Sequence, residues 1–462
     1  MNHAFIVTML CCTCQAFSQP IQLDMDAFAK RRATFEGQLA TQGIAIFPCK
    51  PEYTRNGDVD YQYRQESNFY YLTGFEEPQS IVLLNPSAPR YKYILFVRKR
   101  DPLRETWQGI RAGTEGSMTT FRADTALVFD DFQRTVGEFI PKLGTLYYAF
   151  GTNPQLDDII RAKFLERQHG DNWSITNPSP ILAEMRLTKN DGDWKNGFTK
   201  AIDISAQAHM EAFKAIRPGM FECEVQAVFE YVYRKGGSPR DGYPCIVGSG
   251  PNSCTLHYDA NTRRMNDGDV VLMDCAAEYG YYSADITRTV PVNGKFSSQQ
   301  REIYQLVLDA QNAGINMIKP GILKSALDSA VNEVLGHGLV ELGFIKDKKD
   351  SRVFTLHGFS HWLGLEVHDV GKYTVDGKPR VLAPGMVFTM EPGIYVRPDI
   401  PDKLRDLKYT DEEIENIRKV LEPYMNIGVR IEDDILVTEN GFKNLSVAAP
   451  REIDAIEALM KH

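Results

Sequence analysis

Between residues 23 and 179, short apolar runs alternate with stretches of helical spacing. The runs at 44–47, 80–84 and 93–97 are apolar apart from Ser80 and lie beside turn residues, which predicts strands. An α/β domain follows from that alternation. Asn177-Pro178-Ser179-Pro180 is a turn-rich boundary. Just beyond it, Thr188 with Asp191 three residues on has the form of a capping box. Phe198, Ile202, Ser205, His209, Phe213 and Ile216 then recur at the spacing of one helix face.

The second half of the chain repeats itself. One helical stretch ends in Ile216-Arg217-Pro218-Gly219-Met220 and another in Ile318-Lys319-Pro320-Gly321-Ile322, each followed by a further amphipathic stretch. Each half then leads into an apolar strand through a similar turn, Asp267-Gly268-Asp269-Val270-Val271 and Ala383-Pro384-Gly385-Met386-Val387. Two related α/β halves facing each other would enclose a site between them.

Composition narrows the class. The 462 residues are 43% hydrophobic and 24% charged, ordinary globular values that exclude a disordered, collagen-like or coiled-coil chain. Lys and Arg (52) are outnumbered by Asp and Glu (61), so a nucleic-acid-binding surface is not expected. No apolar stretch reaches the roughly 20 residues of a membrane-spanning helix. Three of eight cysteines fall in the first 14 residues and the rest are scattered without a CxxC, which argues against a disulfide framework or a cysteine zinc site. The apolar run from Ala4 to Cys14 and the small-x-small Ala16-Phe17-Ser18 read as a signal peptide over residues 1–18, although no Lys or Arg precedes the run. Cleavage there would make the protein periplasmic or secreted; otherwise it is cytoplasmic.

The strongest chemical signal is Val270-Val271-Leu272-Met273-Asp274 followed by Asp285-Ile286-Thr287-Arg288-Thr289. With Tyr279 and Gly280 as a hairpin loop, Asp274 and Asp285 fall opposite each other on one face, their Cβ atoms about 5 Å apart. Two carboxylates so placed repel unless cations lie between them. Glu391 and Glu432 each end an apolar run in the other half. Four of only nine histidines, His257, His357, His361 and His368, lie in the same part of the chain. Hard oxygen donors with one or two imidazoles suit Mn²⁺, Co²⁺ or Fe²⁺ in a two-metal hydrolytic centre better than a structural zinc.

These motifs resemble the pita-bread metallopeptidase family, which includes aminopeptidase P (Xaa-Pro aminopeptidase), prolidase, methionine aminopeptidase and creatinase. The resemblance rests on Met273-Asp274 with Asp285-Ile-Thr-Arg-Thr289, on His357-Gly-Phe-Ser-His361-Trp-Leu-Gly-Leu-Glu-Val-His368-Asp, on Glu391-Pro-Gly-Ile-Tyr395 and on Val429-Arg430-Ile-Glu432-Asp-Asp. In the first half, Tyr63-Arg64-Gln65-Glu66-Ser67-Asn68-Phe69-Tyr70-Tyr71-Leu72-Thr73-Gly74-Phe75 resembles the N-terminal domain of the aminopeptidase P branch. The resemblance implies an N-terminal α/β domain over residues 23–179 and a pita-bread α+β catalytic domain with a pseudo-twofold repeat over 180–462. It implies two divalent ions, Mn²⁺ first, with Co²⁺, Fe²⁺ or Zn²⁺ as alternatives. Asp274 would be a bidentate ligand of one ion, Asp285 and Glu432 would bridge, and His361 and Glu391 would hold the other. Glu391 would also serve as general base, and His257 and His368 would stabilise the tetrahedral intermediate. His357 and Trp107 would line the substrate site, and Tyr395 and Arg430 would take positions on its substrate side or just behind the ligands.

The implied reaction removes the first residue of peptides with proline second. The alternatives are a prolidase, restricted to Xaa-Pro dipeptides, and a non-catalytic peptide-binding module on the same fold. The implied partners are such peptides and further copies of the chain, as a dimer or tetramer. The charged segment 397–426, with Asp411-Glu412-Glu413-Ile414-Glu415 expected to be helical, departs from the family pattern and could alter pocket access.

Overall fold

The computed structural model describes residues 23–140, 143–166 and 172–461. The expected leader at 1–18 lies outside the described residues. The first helix, α1, is Met25–Glu36, capped by the Asp24 carboxylate. Six strands form the first sheet: β1 (Ile44–Pro48), β2 (Ile81–Leu84), β3 (Tyr93–Val97), β4 (Thr125–Val128), β5 (Leu143–Tyr147) and β6 (Asn172–Thr176). Their order is β4-β3-β2-β1-β5-β6, antiparallel in the middle and parallel at both flanks. The three strands expected from apolar runs are β1 to β3, and all three are buried end to end, as strands covered on both faces are.

Helix α2 (Ser67–Thr73) lies within the Tyr63–Phe75 motif, capped by Glu66 and closed by Gly74 at φ 67°. The motif fastens the two halves of the molecule together. Arg64 donates to Glu278 at 2.6 Å and to the Leu365 carbonyl at 2.6 Å, while Tyr70 stacks on Tyr281 at 3.7 Å.

Helix α3 (Ser179–Leu187) begins inside the Pro-rich boundary. The capping box expected at Thr188 and Asp191 instead sits two residues later, at Asn190 and Asp193. Thr188 is occupied elsewhere, because it ends α3 and pairs with Met386 as an isolated bridge. The periodic segment forms a π-turn and then α4 (Thr199–Ala215).

The duplication is real in three dimensions. Helix α4 is followed by α5 (Glu222–Lys235) and by strands β7 (Ile246–Ser249), β8 (Val270–Asp274) and β9 (Thr287–Pro291). Helix α6 (Ser298–Asn316) is followed by α7 (Lys324–Glu341) and by β10 (Val387–Met390), β11 (Gly393–Tyr395), β12 (Gly428–Arg430), β13 (Asp433–Thr438) and β14 (Gly441–Asn444). The two Pro-Gly turns are superimposable in kind. Gly219 and Gly321 have φ 92° and 89°, and each donates its N–H to a carbonyl of the later strand segment, Met265 or Leu382. Gly268 and Gly385, both at φ 85°, each stand six residues before a carboxylate, Asp274 and Glu391. One apolar core runs through both halves, from Val225 and Phe229 through Val271 and Val307 to Phe388 and Ile431.

The charged insert folds as expected at 411–415. Thr410 and Glu413 form a capping box for α8 (Asp411–Leu421), which buries Ile414, Ile417 and Leu421. All five described cysteines are free, and no helix among the described residues is long and apolar enough to cross a membrane.

Candidate metal centre

Asp274 ends β8, and Asp285 stands two residues before β9 on the paired segment. The hairpin register differs from the expected one. Tyr279 pairs with Tyr282, so the two loop residues are Gly280 and Tyr281, both with positive φ (60° and 70°). Asp274 therefore faces Thr287, and Asp285 lies a two-residue step along the same face. Tertiary contacts impose this shift: Tyr281 stacks on Tyr70 and its hydroxyl accepts from the Gln65 N–H at 3.0 Å. At Gly280 a Cβ would meet the Asn196 carbonyl oxygen at 1.9 Å.

Glu391 follows β10, and Glu432 sits between β12 and β13. The loop bearing His361 runs alongside β10. Thr389 N–H donates to the His361 carbonyl at 2.9 Å, the His361 N–H donates to Thr389 Oγ1 at 3.1 Å, and Glu391 N–H donates to the Phe359 carbonyl. His361 Nε2 is 3.2 Å from Asp285, 3.5 Å from Glu391 and 3.8 Å from Glu432. Donor atoms of Asp285, His361 and Glu432 all lie within 4.8 Å of one another.

A cavity of about 300 Å³ receives these groups. It is lined by Asp274, Asp285, His361, Glu391 and Glu432, together with His257, His357, His368 and Arg430. Burial pushes Glu391 up to about 7, with repulsion from Asp285 and Asp274 against the pull of His361 and Arg430. Burial, then the neighbouring carboxylates, drives Glu432 well above the usual range, and burial raises Asp274 also. His361, despite a burial that works against its charge, is held up to about 9, chiefly by Asp285 and Glu391. Asp274 Oδ1 is buried without a hydrogen-bond partner. Four crowded carboxylates, one of them with an unsatisfied oxygen, and one imidazole fit divalent cations.

Around the cavity a chain of hydrogen bonds fixes the walls. Arg430 donates to Asp274 Oδ2 at 2.5 Å and to the Tyr395 hydroxyl at 2.9 Å. Tyr395 in turn meets His357 Nε2 at 2.7 Å, and His357 Nδ1 lies 2.6 Å from the Gly358 carbonyl. Donation to that carbonyl leaves Nε2 to accept from Tyr395, so His357 is neutral here, in keeping with a pKa lowered by burial to about 3. Tyr395, expected on the substrate side or just behind the ligands, is fully buried behind His357. His368 packs against His361, ring centroids 4.0 Å apart and planes tilted by 46°. Its neighbour Asp369 is buried between Arg186 and Lys189 at the end of α3, which anchors the His368 loop.

Trp107 is not brought to the cavity. It lies on the helix Pro102–Gln108, which buries none of its residues, and is 88% exposed. Several residues with no role expected from the sequence support the carboxylates. Tyr243 donates to Asp285 Oδ1 at 2.6 Å, Thr287 donates to Glu432 Oε2 at 2.6 Å, and the Asp285 N–H donates to Asp434 Oδ2 at 3.3 Å.

Residues 196–439 match metallopeptidase family M24, and residues 28–147 match the aminopeptidase P N-terminal domain. The chain is 37% identical to the Xaa-Pro aminopeptidase of Escherichia coli K12, over 95% of this chain and 98% of that one. It is 32% identical to human Xaa-Pro aminopeptidase 3, over 92% and 82% of the two chains. Among solved structures, aminopeptidase PepP of Pseudomonas aeruginosa superimposes with a TM-score of 0.87 at 38% identity, covering 96% of this chain and 99% of that one. A zinc-substituted E. coli aminopeptidase P in complex with product also gives 0.87, at 36% identity over 95% and 98% of the chains.

Proposed function

We propose that this chain, which belongs to metallopeptidase family M24 and is a metal-dependent aminopeptidase, releases the first residue of peptides that carry proline second. The observation that carries this reading is the convergence of Asp274, Asp285, His361, Glu391 and Glu432 on one buried cavity. These five would hold two divalent cations, with Mn²⁺ favoured by the four-carboxylate, one-imidazole donor set. Cations held there supply Lewis acidity and lower the pKa of water.

The chain's own residues divide the remaining work. Glu391 takes the proton of the attacking water on a carboxylate oxygen. His257 and His368, both on the cavity wall, donate toward the oxygen that gains charge. The departing proline nitrogen leaves a tertiary amide and needs a proton, which an imidazole on the same wall can deliver. Arg430 and Tyr395 hold Asp274 and His357 in place. Leu103, Trp107 and Ile110, 82%, 88% and 83% exposed, form an apolar surface suited to a homo-oligomer contact.

The test compares Xaa-Pro, Xaa-Pro-Yaa, Xaa-Ala-Yaa and N-acetylated Xaa-Pro-Yaa under matched Mn²⁺. Cleavage of Xaa-Pro-Yaa after the first residue is expected, with little turnover of the alanine or acetylated peptides. Turnover of the dipeptide alone would make the chain a prolidase instead.

A further inference from the structure

The duplication puts two buried charged residues at equivalent points. Glu222 and Lys324 each stand three residues past the turn glycine, as the first residue of α5 and of α7. Each donates its N–H to a carbonyl in the facing segment, Arg263 at 3.0 Å and Arg380 at 2.8 Å. They are 0% and 4% exposed. Both side chains turn toward a loop that carries histidines of the cavity. The Glu222 carboxylate accepts from Ser249 N–H and Oγ at 2.7 Å and from the Tyr258 hydroxyl at 2.8 Å, on either side of the segment leading to His257. Lys324 Nζ donates to the Ser360 carbonyl at 3.1 Å and to Ser360 Oγ at 2.5 Å, immediately before His361.

The surroundings of Lys324 explain how a buried ammonium is tolerated. Its Nζ lies 4.9 Å from the Tyr373 ring centroid, 5.5 Å from Trp362 and 5.9 Å from Phe388. Ser360 Oγ in turn donates a hydrogen bond to Asp328 Oδ1 at 3.2 Å, which places a carboxylate one step from the ammonium. Trp362 and Phe388 form the bridge that seats the histidine loop on β10. The cation thus touches three elements at once: the loop, β10 and, through its own helix, the second repeat.

We propose that Lys324 is a positioning residue for His361. Its ammonium fixes the Ser360 carbonyl and, with the aromatic faces, holds the loop against β10, so that His361 Nε2 is presented toward Asp285 and Glu432. Glu222 plays the mirror-image part for the His257 loop, with the opposite charge because its partners are donors rather than acceptors. The proposal rests on the reading of His361 as a metal ligand.

The test uses the full chain, stripped with a chelator and titrated with Mn²⁺. Lys324→Met should stay folded by circular dichroism and bind one of its Mn²⁺ equivalents about tenfold less tightly, the lower end of what outer-sphere substitutions do. Excess Mn²⁺ should restore most of its activity, and Lys324→Arg should recover part of the affinity. A folded Lys324→Met with unchanged Mn²⁺ affinity overturns the proposal. If that variant does not fold, Lys324→Gln, which is shorter and uncharged, decides: several-fold weaker binding upholds the proposal and unchanged binding overturns it. His361→Ala separates the two readings. Loss of one equivalent there, with unchanged affinity in Lys324→Met, overturns the positioning role alone. Retention of both equivalents by His361→Ala overturns the ligand reading and the proposal with it.

Discussion

Replacing Arg288 with methionine tests whether the metal-bearing strands are held by one buried guanidinium. Arg288 is fully buried. It pairs with Asp433 at 2.6 Å, donates to the carbonyls of Thr287 at 2.9 Å and Glu432 at 2.6 Å, and reaches those of Ala449 and Pro450. It therefore ties β9 to β13 and to the C-terminal segment at once. Methionine keeps most of the aliphatic stem but leaves Asp433 without its closest cation. Breaking a buried ion pair from one side costs about 3–5 kcal/mol. Arg451, 3.4 Å from Asp433, and the donors Ser446 and Asn444 remain, which places the expected loss near the lower end, about 3 kcal/mol. With about 2.1 cal/mol/K of unfolding entropy per residue over 462 residues, the melting temperature should fall by about 3 °C. Burial works to raise the Asp433 pKa, but Arg288 and Arg451 outweigh it and hold the carboxyl below the usual range. A depressed folded pKa contributes stability above the unfolded value, so the difference between the two proteins should persist from pH 8 to 5 and shrink below about pH 4. Urea denaturation followed by tryptophan fluorescence reads the loss. The double variant Arg288→Met/Asp433→Leu should regain most of it, because no charge is then stranded. A single variant within about 1 kcal/mol of the parent, or a double variant no better than the single, would refute the reasoning.

The other expectations concern the same neighbourhood. His209 places Nε2 at 3.1 and 3.0 Å from the Cys275 and Ile286 carbonyls, and burial lowers its pKa to about 3, so stability should fall as pH drops from 6.5 toward 3 by up to about 1.4 kcal/mol per unit. His209→Gln should flatten that slope in urea titrations across pH; parallel slopes would show that another group titrates. Asp274→Asn and Glu432→Gln should each lose bound Mn²⁺ and nearly all hydrolysis with the circular dichroism spectrum retained, and full activity in a metal-verified double variant would sink the two-metal assignment. His368→Ala should lower kcat roughly 10²-fold or more while metal content by atomic absorption stays at the parent level; loss of one equivalent would make His368 a ligand.

The sequence was most readable where one physical constraint acts alone. The strands β1 to β3 announce themselves because they are covered on both faces, and an unbroken apolar run of that length has few other uses. The Pro-Gly turns read correctly because a left-handed backbone position selects glycine whatever surrounds it. The capping box expected at Thr188 did not form there, because Thr188 pairs with Met386, nearly 200 residues away, and no local pattern encodes that contact.

The site follows the same division. Carboxylates inside apolar strands are expensive unless something compensates them, so Asp274, Asp285, Glu391 and Glu432 stand out on composition alone, and all four line one cavity. Their relative placement is a different matter. A hairpin loop moved by one residue shifts the cross-strand register by two, and this preserves the face each aspartate occupies while changing its partner. The face was therefore legible and the partner was not. What chose Gly280 and Tyr281 was the stacking of Tyr281 on Tyr70, a contact between halves of the chain that sequence spacing cannot rank. Tyr395, four residues beyond Glu391, is fully buried, and its hydroxyl serves His357 and Arg430, the supporting one of the two placements its motif allowed. Lys324 and Tyr243 were invisible for one shared reason. Each acts on a backbone carbonyl or a single oxygen 36 or 42 residues away, and that target acquires an address only once its own repeat has folded.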